Sequence, residues 1–129
     1  MPLLAVLIGG VIGTGLRLWV DALIPHPDDG FAWSTLLINV VGAFALALLV
    51  ARLWPVAPEW LRAGLGAGVL GSFTTFSAVA VSLVALARAD AWAEAVAYLA
   101  LTLVAGLGAA WAGLALGSRR APRTMEPTE

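Results

Sequence analysis

Four long apolar runs, each closed by turn-forming or charged residues, leave this 129-residue sequence few ways to fold. The runs cover about 3–24, 33–54, 61–86 and 92–116. At about 1.5 Å of rise per residue, each makes a helix of roughly 30 Å or more, the thickness of a bilayer's hydrocarbon core. The linkers Pro25-His26-Pro27-Asp28-Asp29-Gly30, Pro55-Val56-Ala57-Pro58 and Arg88-Ala89-Asp90 are short, so consecutive helices are expected to run antiparallel. Trp33, Trp54, Trp60 and Trp92 fall at the run ends, where an amphipathic indole prefers the headgroup level. With 61% hydrophobic and 12% charged residues and a mean hydropathy of +0.96, an ordinary soluble domain is excluded. The expectation is one all-α membrane domain over 1–117, followed by a flexible C-terminal tail over 118–129.

Composition removes several functions. There is no cysteine, hence no disulfide, thiolate metal site or cysteine nucleophile. His26 is the lone histidine, which makes a poor basis for a metal site. A formal net charge of -1 gives no basic patch for nucleic acid. No cluster of base, nucleophile and metal ligand marks an enzyme. The first run is too long for a signal-peptide core and carries Arg17 near its far end, which favours an uncleaved spanning helix. Gly9 and Gly13, Gly64 and Gly68, and Gly113 and Gly117 have the four-residue spacing that lets helix backbones approach closely in lipid.

The third run contains a costly interruption. Gly71-Ser72-Phe73-Thr74-Thr75-Phe76-Ser77 places four hydroxyls at membrane depth, where backbone departs from helix only if protein or a wet cavity satisfies it. This stretch therefore reads as the floor of a site, with the third helix broken in its middle. Asn39 lies well inside the second run, with an amide that serves either a site or an interhelical hydrogen bond. Tyr98 and Thr102 share a face of the fourth helix, although a lone Thr ordinarily satisfies itself on its own backbone. Phe76 either packs or offers its electropositive ring edge to an anion. Arg17 either snorkels to the interface or supports an anion-attracting vestibule. Together these residues make a track of neutral donors without a cationic sink, suited to a small, strongly hydrated anion.

The motifs resemble those of the CrcB (Fluc) fluoride channels across all four runs. Gly9-Gly10-Val11-Ile12-Gly13 with Arg17 is similar to the family's first-helix pattern, and Thr35-Leu36 with Asn39, Gly42 and Phe44 to its second. Gly71 through Ser77 resembles the third-helix signature, which ends in Thr-Thr-Phe-Ser, and Tyr98 with Thr102 and Gly106 the fourth. The resemblance implies an antiparallel, dual-topology dimer of four-helix subunits in the inner (plasma) membrane, exporting fluoride passively and relieving its toxicity. It further implies a structural sodium ion at the dimer centre, held by the backbone carbonyls of Gly71 and Thr74. It assigns the fluoride pathway to Asn39, Thr75, Phe76, Ser77, Val79, Tyr98 and Thr102, with Arg17 at the vestibule.

Two departures from the family pattern carry expectations of their own. Ser77-Ala78-Val79 stands where the family usually reads Ser-Thr-Phe, so an aliphatic side chain replaces the second pore phenylalanine, with a weaker anion site or an altered rate as the consequence. With four spans, Arg52, Arg62, Arg119, Arg120 and Arg123 fall on one side against Arg88 and Arg17 opposite, a bias that favours cytoplasmic termini. The chain is then expected to insert both ways as a homodimer or to pair with an oppositely oriented paralogue. The residues alone also admit a small proton-coupled multidrug exporter, which needs an embedded carboxylate that no span carries at its middle, or a non-conducting structural subunit.

Overall fold

A computed structural model describes residues 1–25 and 30–119. His26 and its neighbours to Asp29, and the tail with Arg120 and Arg123, lie outside the described residues. A segment in lipid must satisfy its own backbone, and a helix does so without a partner. The described residues accordingly form helices α1 (Pro2–Leu23), α2 (Trp33–Arg52), α3 (Glu59–Ala63), α4 (Gly71–Phe73), α5 (Phe76–Arg88) and α6 (Trp92–Ser118), with a π-helical stretch Gly64–Leu70 between α3 and α4. Four spans, with α3 through α5 counted as one over Glu59–Arg88, are long and apolar enough to cross a membrane.

Local chemistry explains the boundaries. Pro2 sits in the first turn of α1, where the missing N–H has no helical partner to lose. Glu94 in the first turn of α6 and Arg52 and Arg88 in the last turns of α2 and α5 match the helix dipole in sign. Asp90, at φ 54°, takes the left-handed conformation that turns the chain between α5 and α6, one that a short polar side chain tolerates. Trp33 and Trp92 open α2 and α6 as expected. Helix α2 stops at Arg52, two residues before Trp54, because residues 53–56 already form a turn.

Helices adjacent in sequence are not the closest neighbours in space. α1 packs chiefly on the π-helical stretch and α4, whereas α2 packs chiefly on α6 and only slightly on α1. Both seams rest on the glycine pairs. A Cβ on Gly13 would collide with the Val69 carbonyl and one on Gly9 with the Gly64 carbonyl; across the other seam, a Cβ on Gly113 would lie 2.5 Å from the Phe44 carbonyl oxygen. These approaches replace the hydrophobic drive that lipid does not supply. Gly106, by contrast, has open space around it. Tyr98, Val79, Leu36 and Leu86 form a small core between α2, α5 and α6, while most other large apolar side chains, such as Val11, Val104 and Trp111, face outward.

Candidate functional site

The third span is interrupted at Thr74 and Thr75, whose ψ angles of 152° and 121° are extended rather than helical. Side chains satisfy part of the backbone around it. The Thr74 hydroxyl donates to the Leu70 carbonyl at 2.9 Å, and the Thr75 hydroxyl caps α5 by accepting the Ala78 N–H at 3.2 Å. Asn39 adds two bonds from α2. Its Oδ1 accepts the Thr75 N–H at 2.8 Å, and its Nδ2 donates to the Thr75 carbonyl at 2.9 Å. One neutral amide thereby replaces two backbone partners that would cost several kcal/mol if left bare in lipid. Gly42, one helical turn beyond Asn39, leaves room for the Thr74 methyl, so α2 can lie against the break.

The same geometry frees two carbonyls. The Thr75 N–H, the natural helical partner of the Gly71 carbonyl, goes to Asn39, and the Ala78 N–H, which would serve Thr74, goes to the Thr75 hydroxyl. Both carbonyls keep lone pairs of the kind a hard cation binds.

Two cavities flank the break, and Thr75 lines both. The first, a vestibule of about 380 Å³, is bordered by Arg17, Asp21, Thr35, Ser77 and Ser82. The Thr75 and Ser77 hydroxyls lie 3.1 Å apart within it. The second, about 410 Å³, is more apolar and is bordered by Asn39, Gly71, Thr74, Phe76, Val79 and Thr102. Asn39 keeps a second Nδ2 hydrogen beyond the one given to Thr75. The Thr102 hydroxyl is buried and has no hydrogen-bond partner, and so does not make the backbone bond a helical threonine ordinarily makes.

The residues singled out in the sequence are thus distributed unevenly. Arg17, Thr75 and Ser77 meet at the vestibule, and Asn39, Phe76, Val79 and Thr102 at the second cavity, with Gly71 and Thr74 on its wall. Phe76 projects from the subunit, 81% exposed, whereas Val79 is only 1% exposed and packs in the core. Tyr98 lines neither cavity; it is fully buried, donates to the Ala32 carbonyl at 3.2 Å and stacks edge-on against Phe31. Asp21 and Ser34 escaped sequence reading as site residues. Ser34 donates to Asp21 at 2.5 Å across the α1–α2 junction, and the only signal was the four-residue step from Arg17 to Asp21.

The family described as CrcB-like protein, Camphor Resistance (CrcB), matches residues 4–114, a stretch that contains both cavities. The chain belongs to the CrcB family. Among similar members, the fluoride-specific ion channel FluC of Xanthomonas euvesicatoria is 41% identical over 118 residues, covering 89% of each chain. Fluoride-specific ion channel FluC 1 of Cutibacterium acnes is 37% identical over 115 residues, covering 85% of this chain and 80% of the relative. Fluoride-specific ion channel FluC 2 of Nocardia farcinica is 40% identical over 119 residues, covering 90% and 81%. As a CrcB-family chain with four helices of spanning length, this is a multi-pass membrane protein and not an enzyme.

Proposed function

We propose that this protein is a fluoride-selective channel of the inner membrane that lets fluoride leave the cell down its gradient and so relieves its toxicity. The observation that carries the proposal is the amide-held break between two cavities, in a chain whose relatives are named fluoride-specific ion channels. A small, strongly hydrated anion sheds water only for donors that replace it, and departs only if no cation traps it. The path runs from Arg17, which gathers anions at the vestibule, past Ser77 and Thr75, to Asn39, the Phe76 ring edge, Val79 and the Thr102 hydroxyl. Tyr98 serves it indirectly, by fixing α6 to the start of α2. Fluoride release from vesicles holding the purified protein, unaltered by an imposed proton gradient, is the expected result. Release that requires the gradient would favour a proton-coupled exporter, and no release would favour a structural subunit.

Thr102 gives this reading a clean test. An orphaned buried hydroxyl contributes nothing to folding, so Thr102→Val should leave the melting temperature unchanged or raised. Fluoride flux, by contrast, should fall about tenfold, the loss of one donor to an ion being roughly 1.5 kcal/mol. Equal flux in the variant would remove Thr102 from the path. At Val79, a phenylalanine must enter a packed core, so Val79→Phe should cost about 1–3 kcal/mol of stability, seen as a lower melting temperature, and alter the flux.

The channel is proposed to act as an antiparallel dimer, either of two copies or of this chain with an oppositely oriented paralogue. The outward Phe76 suits a partner surface, and relatives carrying the names FluC 1 and FluC 2 suit paralogue pairs. Two subunits would supply four Gly71 and Thr74 carbonyls to a central sodium ion, a hard-oxygen cage without charged ligands. Accessibility labelling of the C-terminal tail in intact cells separates the two dimers: labelling from both sides supports two copies, labelling from one side a paralogue.

A further inference from the structure

Among the described residues, the vestibule is bordered by one acidic side chain, for which conduction has no use. Asp21 follows Arg17 by four residues on α1, the spacing that puts both on one helix face, and both line the cavity with Thr75 and Ser77. Asp21 is itself exposed, but one carboxylate oxygen is held in place. Ser34, fully buried in the first turn of α2, donates to its Oδ1 at 2.5 Å and fixes it at the cavity's edge. An anion drawn by the Arg17 guanidinium therefore enters a cavity that a fixed negative charge also borders.

We propose that Asp21 is an electrostatic brake that sets the rate at which anions are admitted to the vestibule. The inference rests on the channel reading above. Arg17 raises the local anion concentration, and an ionised Asp21 a helical turn away cancels much of that field, because potentials of opposite unit charges subtract where a low-dielectric wall focuses them. The brake acts through charge alone, so it weakens as dissolved salt screens the mouth.

Asp21→Asn keeps the size of the side chain and an oxygen for Ser34 but removes the charge, whereas Ser34→Ala removes the anchor and keeps the charge. In vesicles of uncharged lipid at subsaturating fluoride, Asp21→Asn should release fluoride about threefold faster than wild type at about 10 mM salt. The advantage should vanish near about 0.5 M, where screening shortens to a few ångströms. Ser34→Ala should keep the wild-type salt dependence. Equal flux in Asp21→Asn and wild type at every salt concentration would overturn the brake. So would a parallel loss of flux in both variants, which would make Asp21 a tether between α1 and α2. Wild-type protein that releases no fluoride would instead refute the channel reading itself, and the brake with it.

Discussion

Replacing Asn39 with alanine should reduce fluoride flux at least tenfold and destabilise the fold at once. Alanine leaves the Thr75 N–H and carbonyl without partners at membrane depth, and each orphaned group costs about 1–3 kcal/mol. The break can then close into continuous helix, which merges the two cavities' wall, or persist with bare backbone. Either outcome removes the Asn39 amide from the path. The signature distinguishes Asn39 from Thr102: at Asn39 the melting temperature and the flux fall together, and at Thr102 only the flux falls. A thermal-shift series on detergent-solubilised protein, run beside vesicle flux, makes the comparison. An Asn39→Ala protein as stable as wild type would mean that the amide does not hold the break.

The second large effect lies at a helix seam, between Gly13 and Val69, which line neither of the two cavities. Gly13→Val should prevent recovery of a monodisperse protein, because its Cβ would collide with the Val69 backbone carbonyl rather than with a side chain that can move. Overpacking of this kind costs about 1–3 kcal/mol when neighbours can yield and more when backbone must shift. The seam between α1 and the π-helical stretch has a second approach of the same sort at Gly9, so little slack is available to absorb the displacement. Gly106→Ala is the control, since nothing lies within 4 Å of the added methyl. Size-exclusion profiles of the two variants should differ sharply; similar profiles would show that the glycine seam is not close-packed.

Why some of this was readable from residues and some was not follows from the physics. Span number and approximate ends were legible because lipid imposes a length, and indoles at Trp33 and Trp92 mark its edges. The glycine pairs were legible because close backbone approach needs a repeated small residue, and all six of those glycines are buried. The break was legible from hydroxyls where apolar residues belong. Its mechanism was not: spacing alone cannot tell that the Asn39 amide pairs with both polar groups of Thr75, 36 residues away. Neither could it separate Phe76 from Val79, three residues apart on α5, one turned outward and one packed against Tyr98. The π-helical stretch over Gly64–Leu70 was equally hidden.

The measurement closest to the centre of this reading is halide release from vesicles reconstituted with the wild-type chain, followed with fluoride and chloride electrodes in parallel. Neutral donors around a helix break should pass fluoride rapidly and chloride hardly at all, without help from a proton gradient. Chloride release at a comparable rate, or fluoride release no faster than from protein-free vesicles, would contradict it.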